Sequence, residues 1–576
     1  MSTSTATALT AGGLLASAVA TVAVGAYGVR LSRTTSDFLV ASRTVGPRWN
    51  AAAISGEYLS AASFLGVAGL VAKYGADALW YPVGFTAGYL GLLLFVSAPL
   101  RRSGAYTVPD FAEFRLGSPR VRQVAMLVVV TICIFYLIPQ YQGAGIALKA
   151  LLGVPLWLGP LAVGGIVIAN VVGGGMRSIT FVQAFQYWLK LTAVAAPALV
   201  LLMHFSHEHA QLGGPLPPTV DQQTVVTIET GVVVTVADPA GVTVSGIGDG
   251  DALPGPGQYS LPQGTTLTLA AGAHTPVVSG APADGATWIR SGGGLGGNHP
   301  LYQVFSIMVA TFLGAMGLPH VLVRFYTNTD GRAARRTALS VIVLLSLFYL
   351  FPVLLGVFAR LYVPQLLITG KADAAVLLLP SAAIAGLPGE LIGALVAAGA
   401  IAAFLATSSG LLVSIAGALS TDVLRGRVSD FRLAAVIAGL IPIPLSLVAP
   451  TFELSRGVGL AFAVAASTLC PLLVLGIWWR GLTAAGAIAG LVVGALASGV
   501  AILVATTGWV DDDVLGGWLT TLIGYPAAVT VPLAFATMAL VSRFTRGDVP
   551  PDVARIFARM HLPERLGMGL ERLPRG

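Results

Sequence analysis

Apolar stretches of about 20 residues or more recur along the whole sequence, separated by short polar connections. An α-helix rises 1.5 Å per residue, so about 20 apolar residues cross the roughly 30 Å hydrocarbon core of a bilayer. Only 10% of the residues are charged and the mean hydropathy is +0.83, whereas soluble domains carry about 25% charged residues. The sequence therefore predicts an all-α polytopic membrane protein.

Thirteen of these stretches are long enough to be transmembrane helices. The first has no Lys or Arg in residues 1–10, so it lacks the basic segment of a signal peptide, and we expect it to be a true transmembrane helix. The predicted spans cover residues 9–31, 47–71, 79–100, 121–148, 154–176, 181–203, 301–326, 337–362, 389–424, 432–449, 457–478, 482–507 and 518–542.

Basic residues predict the orientation of these spans. Twenty-five of the 32 Lys and Arg residues fall on one side, and basic residues beside span ends are retained in the cytoplasm. With thirteen spans, this places the N-terminus outside the plasma membrane and residues 543–576 in the cytoplasm as a tail. The net charge of +7 reflects this topology, so it does not indicate a nucleic-acid partner.

One connection, residues 204–300, is much longer than the others and is predicted to be an extracellular insert. It contains alternating runs such as QTVVTIETGVVVTV and GTTLTLAA, bounded by Gly and Pro, which favour short antiparallel strands. His204, His207 and His209 form a cluster at its start. Without a Cys or a clear fourth ligand, we interpret them as interfacial polar residues rather than a metal site.

Two spans carry helix-weakening residues near their middle. Gly56 lies about ten residues into span two, or roughly 15 Å deep. Span seven contains LGAMGLPH, in which Gly314, Gly317 and Pro319 weaken the helix at a comparable depth. Spans two to six (residues 47–203) and seven to eleven (residues 301–478) form two sets of five with opposite orientation. Matching interruptions in two inverted halves indicate the binding site of a transporter.

A break at the membrane midplane frees backbone groups that need partners. Carbonyls near Gly56 and Leu59 can surround a sodium ion, completed by a hydroxyl of ATSSG in span nine, such as Thr407. Alternatively, such hydroxyls pack between helices and bond their own backbone. The N–H groups from Ser60 to Ser63 face the centre at the positive end of a helix dipole, which suits a carboxylate.

Glu57, Lys190 and His320 are ionisable residues within the predicted spans. A charge there costs on the order of 3 kcal/mol, so Glu57 is predicted to be functional, with a neutral or internally bonded structural glutamate as the alternative. Lys190 is expected to snorkel to the membrane surface in a structural role. His320 either belongs to the site or hydrogen-bonds the freed backbone. No catalytic constellation, phosphate loop or dinucleotide fingerprint appears, so neither enzyme activity nor an organic cofactor is predicted.

Several strings resemble the sodium:solute symporter family, and within it the bacterial cation acetate or monocarboxylate symporters. They are SGEYLSAASFLG in span two, GLPHVLVRFYTN in span seven, and VGLAFAVAAS and WWRGLTAAGAIAG across spans eleven and twelve. The resemblance covers most of the chain except the insert and the tail. It implies a LeuT-type five-plus-five inverted repeat with one helix before it and two after it.

The resemblance also implies a sodium site between the broken span two and the helix that ends at Asp422, with sodium the only metal expected. Its implied ligands are Gly56, Leu59, Ala403, Ala406 and Thr407. Relatives often carry a hydroxyl before the position of Thr407, where this chain has Ala406. Three outcomes stay open: Ser408 compensates, the site is weaker, or coupling uses protons through Glu57.

The expected function is a secondary transporter that uses a sodium gradient to bring a small monocarboxylate such as acetate into the cell. The candidate substrate contacts are Glu57, Ser60, Ser63, Gln140, Gly314 and His320. Alternatives are the same fold carrying proline, pyruvate or a sugar, proton coupling, or a transporter-like sensor. The absence of a signalling domain in the short tail argues against a sensor. The sequence does not indicate an oligomeric state.

Overall fold

The computed structural model describes residues 3–29, 35–205, 212–228, 231–246, 255–293, 295–296, 298–369, 372–424, 427–449, 454–507 and 514–563. Within these ranges, eleven helices are long and apolar enough to cross a membrane, so the prediction of thirteen separate spans is not confirmed. The helical run Ala62–Arg102 joins the last part of predicted span two to span three, and Leu158–Phe205 joins spans five and six. Helical turns continue across bends at Gly75 and Gly175, whose φ angles are 60° and 56°.

The longest helix before the insert is Leu158–Phe205, which packs against the helices Thr3–Val29, Pro47–Tyr58 and Pro119–Leu152. Pro47 and Pro119 stand at the first turns of α3 and α8, where a missing N–H costs nothing. Short π-helical segments, Ala62–Gly66 and Leu92–Val96, lead into α4 and α6. These helices are α1 (Thr3–Val29), α2 (Thr35–Val40), α3 (Pro47–Tyr58), α4 (Val67–Tyr74), α5 (Trp80–Gly91), α6 (Ser97–Arg102), α7 (Val108–Leu116), α8 (Pro119–Leu152) and α9 (Leu158–Phe205).

The segment between α9 and α11, hereafter the insert, contains the predicted β structure as two small antiparallel sheets. One has the strand order β1-β5-β3 and the other β4-β2-β6. Alternate Val and Leu side chains of the strands pack into their own apolar core. Its elements are β1 (Thr224–Thr227), β2 (Val232–Val236), β3 (Val242–Ser245), β4 (Gly257–Leu261), β5 (Thr266–Leu269), β6 (Val277–Val278) and α10 (Gly285–Trp288).

The helices after the insert complete the bundle. The side chain of Asp330 caps α13 by accepting from the Ala333 N–H at 2.6 Å. These helices are α11 (Pro300–Gly317), α12 (Pro319–Phe325), α13 (Gly331–Tyr362), α14 (Ala375–Ala383), α15 (Leu387–Asp422), α16 (Val428–Leu440), α17 (Pro442–Val448), α18 (Leu454–Ser467), α19 (Leu469–Trp478), α20 (Ala484–Thr507), α21 (Trp518–Gly524), α22 (Ala527–Phe544) and α23 (Val553–His561).

The first predicted break is present, but it lies after Gly56 rather than at it. Helix α3 continues through Gly56 to Tyr58, and the chain leaves helical geometry at Leu59 (φ −72°, ψ 83°). A Cβ at Gly56 would overlap the backbone carbonyl of Gln183 in α9. This glycine therefore permits close contact between α3 and α9, and the neighbouring residues form the break.

The second predicted break lies at Leu318 (φ −71°, ψ 116°), between α11 and α12. Pro319 begins α12, and the residue before a proline is driven towards extended geometry. Side chains at Gly314 and Gly317 would overlap carbonyls of α18, those of Phe462 and Ala465. As at the first break, the glycines serve helix packing while the interruption falls beside them.

Candidate functional site

The break between α3 and α4 frees the peptide carbonyls of Gly56, Glu57 and Leu59, which accept from side chains of other helices. The Ser60 N–H turns back to the carbonyl of Tyr58 at 2.8 Å, so it no longer reaches Gly56. Buried carbonyls without partners are costly in a membrane interior. The groups that donate hydrogen bonds to these carbonyls therefore indicate what the break can bind.

Lys190 supplies the partner for two of the freed carbonyls. Its Nζ donates to the carbonyl oxygen of Gly56 and, at 2.7 Å, to that of Leu59. The side chain has no solvent exposure, so the prediction that it snorkels to the surface is wrong. The carbonyl pair predicted for sodium already accepts from an ammonium group, and in this arrangement it does not fit a second cation.

Helix α15 satisfies the third carbonyl. The Thr407 hydroxyl donates to the carbonyl of Glu57 at 2.5 Å, which places this predicted ligand at the break. Ala406 also lies there, since its carbonyl accepts from the Gln183 side chain at 2.8 Å. Ala403 is fully buried, and the buried Ser408 hydroxyl has no hydrogen-bond partner among the described residues.

The N–H side of the same break faces polar side chains from two other helices. The Ala61 N–H donates to Oε1 of Gln140 in α8 at 3.2 Å. The hydroxyls of Ser63 and Tyr349, in α13, are 2.8 Å apart. Ser60 is buried in the break itself. Three of the six predicted substrate contacts, Ser60, Ser63 and Gln140, are thus grouped at the break and the π-helical segment that follows it.

Glu57 forms a buried ion pair with Arg324 of α12. The Arg324 Nε donates to Oε2 of Glu57 at 2.6 Å, and both side chains are almost completely inaccessible to solvent. The guanidinium also donates to the Thr180 hydroxyl at 2.7 Å and to Oε1 of Gln183. The pair links the two broken helices, and it agrees with the alternative of an internally bonded glutamate.

His320 follows the second break and lies beside a cluster of buried aromatic side chains. Its ring lies edge-on to Tyr136 with centroids 5.3 Å apart, and neither ring nitrogen has a hydrogen-bond partner in the described structure. The Tyr89 hydroxyl is buried and unpartnered in the same way. The rings in mutual contact here are those of Tyr58, Phe85, Tyr89, Tyr136, Tyr349 and Phe462.

Two predicted groups fall outside this arrangement. Gly314 lies within α11 and packs on α18, so it provides space for helix contact. His204 lies beside Tyr362 at a centroid separation of 6.2 Å, whereas His207 and His209 lie outside the described residues. Within the described ranges, no three His, Cys, Asp or Glu side chains are placed to hold a metal ion.

Sequence reasoning missed Lys190 and Arg324 as members of the site. Lys190 follows Gln183 by seven residues, which places both on one face of α9, the face that packs on α3. In the sequence, Arg324 is only one of the 25 basic residues that predict the orientation of the spans. A buried position within a span is the signal that could have identified both residues, because an intramembrane charge is a candidate for function.

Comparisons with known proteins agree with this geometry. The model of the sodium:solute symporter family matches residues 38–217 and 293–494, which leaves out all six strands of the insert. An uncharacterized symporter, YwcA, of Bacillus subtilis is 30% identical over 531 residues, covering 89% of this chain and 90% of that protein. A monocarboxylic acid transporter of Corynebacterium glutamicum is 30% identical over 569 residues, covering 94% and 93%.

Solved structures support the fold. A Na⁺-coupled sialic acid symporter in a substrate-bound outward-open state aligns with a TM-score of 0.59 at 14% identity, covering 92% of this chain and 98% of that one. The nucleobase-cation-symport-1 family transporter Mhp1 aligns with a TM-score of 0.50 at 13% identity, covering 91% and 98%. The chain thus has the helical architecture of LeuT-like transporters.

Proposed function

The chain belongs to the sodium:solute symporter family, and on that premise we propose that it is a secondary symporter that brings a small monocarboxylate, such as acetate, into the cell. As a member of this family it is a multi-pass membrane transporter and not an enzyme. The observation that carries the proposal is the pair of broken helices, whose polar backbone and buried charges meet in one place.

The chemistry around the two breaks favours a small acid anion. The backbone N–H of Ala61, just after the first break, donates to Gln140, whose Nε2 has no partner among the described residues. Donors of this kind, at the positive end of a helix dipole, suit a carboxylate. Aromatic rings around His320 provide an apolar surface for a short carbon chain. The relative named as a monocarboxylic acid transporter supports this substrate class.

Alternating access is the proposed mechanism. The division of the two merged runs at Gly75 and Gly175 yields thirteen spans, arranged as one helix, two inverted sets of five, and two more helices. The N-terminus is then outside and the tail inside. In this scheme the Glu57–Arg324 pair holds the two broken helices together in one state, and movement of either helix must separate or carry the pair.

The coupling ion has two candidates. The family implies sodium, and the position of Thr407 beside the break is consistent with the proposed cation site. The proton is the second candidate, because the Lys190 ammonium already bonds the two carbonyls assigned to sodium. A cation fixed to the chain cannot cross the membrane, so another ion would then have to supply the energy.

Uptake into proteoliposomes tests the function. Purified protein should accumulate labelled acetate above the level of protein-free liposomes when a sodium or a pH gradient is imposed separately. Competition by unlabelled propionate, pyruvate, proline and glucose then defines the substrate class. Uptake of proline or glucose without uptake of any monocarboxylate would replace the proposed substrate, and binding of a solute without any uptake would favour the sensor.

A further inference from the structure

We propose that Lys190 is a tethered cation that takes the place of sodium at the break between α3 and α4, so that this position needs no sodium during uptake. The inference rests on the proposed transport function only for its uptake measurements. Its structural part concerns which cation satisfies the freed carbonyls, and that can be tested by binding alone.

The three backbone carbonyls at the break already accept hydrogen bonds from side chains of this chain. The carbonyls of Gly56 and Leu59 accept from Lys190, and the carbonyl of Glu57 accepts from Thr407. Because both contacts of Nζ are at hydrogen-bonding distance, an ion held by the same two oxygens would have to occupy the same space. Two like charges at contact in a medium of low dielectric constant also repel strongly.

The position of Lys190 is built into the packing of α9. Gly56 lets the backbone of α3 touch the carbonyl of Gln183, and Lys190 follows on the same face of α9 two turns later. Side chains on a helix point towards its N-terminus, so the Lys190 side chain is directed back along this contact. The close packing of α3 on α9 therefore fixes the position of the Lys190 side chain at the break.

The charges around the break also disfavour an additional cation. Glu57 forms the ion pair with Arg324, and it lies in sequence between the two residues whose carbonyls accept from Lys190. Two buried basic side chains therefore already lie around one buried carboxylate. The parts of α15 at the break are uncharged, with Thr407 and Ser408 as its polar side chains there. A sodium ion would add a third positive charge without adding an anion.

Two substitutions of Lys190 separate a tethered cation from a merely structural lysine. Lys190→Ala removes the charge and opens space at the carbonyls, whereas Lys190→Met removes the charge but fills much of the space. In choline medium at a fixed pH gradient, acetate uptake by both variants should fall about tenfold or more, because two buried carbonyls lose their donor. Sodium in place of choline should restore uptake by Lys190→Ala several-fold but not by Lys190→Met, and wild-type uptake should not respond.

Thermal unfolding in detergent provides the reading that does not depend on transport. Sodium, compared with choline at equal ionic strength, should raise the unfolding temperature of Lys190→Ala and leave wild type and Lys190→Met unchanged. This result would stand even if acetate proved not to be a substrate. A sodium-dependent rise in wild-type unfolding temperature, or sodium-stimulated wild-type uptake that Lys190→Ala retains unchanged, would overturn the proposal.

Discussion

At the break between α3 and α4 the backbone carbonyls accept from side chains of other helices, whereas beside the break between α11 and α12 the imidazole of His320 has no partner among the described residues. Lys190 and Thr407 satisfy the carbonyls of the first break, and Gln140 accepts from its first free N–H. Beside the second break, both ring nitrogens of His320 lack a partner among the described residues. The backbone of the first break is therefore satisfied by the protein itself, while side-chain atoms without a partner, such as Gln140 Nε2 and the His320 nitrogens, lie beside both breaks.

This difference follows from what each helix faces. The first break touches α9 and α15, two long buried helices whose side chains can reach its backbone. His320, beside the second break, contacts the cluster of aromatic side chains, whose rings offer few hydrogen-bond acceptors. Because a buried polar group without a partner costs free energy, unpaired groups in a membrane interior indicate the place of a solute.

The largest expected effect comes from closing the contact that forms the first break. A side chain in Gly56→Leu would overlap the carbonyl of Gln183 and separate α3 from α9. We expect near-complete loss of acetate uptake and a low yield of folded protein by size-exclusion chromatography. Gly46→Leu is the matched control, because a Cβ there meets nothing within 4 Å. Equal behaviour of the two variants would contradict this account of the glycine.

Next in size is the ion pair that joins the two breaks. Arg324→Met leaves the Glu57 carboxylate buried without its partner, which should lower the free energy of unfolding by about 3–5 kcal/mol. Adding Glu57→Gln should recover part of that loss, because the unpaired charge is then removed. Chemical unfolding monitored by tryptophan fluorescence measures both values.

Arg177→Met provides the comparison for this pair. Arg177 bonds Asp37 at 2.8 Å, with side-chain exposures of 33% and 5%, so the loss of this partly exposed arginine should cost less than the loss of the fully buried Arg324. A similar cost for Arg324→Met would mean that the link between the broken helices carries little energy.

The substitution His320→Phe tests the role of the side chain beside the second break, between α11 and α12. The substitution keeps a ring beside Tyr136 but removes two nitrogens that have no partner in the described structure. The free energy of unfolding should therefore be unchanged or higher, while the KM for acetate rises about tenfold if the imidazole contacts substrate. Lower stability with an unchanged KM would show that His320 serves the backbone instead.

Much of this architecture could be predicted because it depends on local composition. Apolar length identifies the spans, alternation identifies the strands of the insert, and Gly and Pro place both breaks to within a few residues. The error at Gly56 is instructive. A glycine in a span signals either a break or a close helix contact, and only the neighbouring helix distinguishes the two.

The partners of the broken backbone could not be predicted, since they come from residues far away in sequence. Lys190, ten residues into predicted span six, cannot be told from a snorkelling lysine until α9 is packed on α3. The insert provides a second case: Trp288 donates its indole N–H to the carbonyls of Val71 and Ala72 at the end of α4, at 2.9 and 3.1 Å. Nothing in the alternation of the insert indicates that it caps a transport helix.

The smallest effect separates two neighbours on α15. Thr407→Val retains the shape of the side chain but leaves the Glu57 carbonyl without its donor, so the free energy of unfolding should fall by about 1–2 kcal/mol. Ser408→Ala removes a hydroxyl that has no partner among the described residues, and stability should stay within about 0.5 kcal/mol of wild type.

Uptake at graded sodium concentrations adds the decisive comparison. If Thr407 supports the backbone of a break filled by Lys190, Thr407→Val lowers uptake equally at every sodium concentration. A raised sodium requirement in Thr407→Val alone would instead identify Thr407 as a cation ligand.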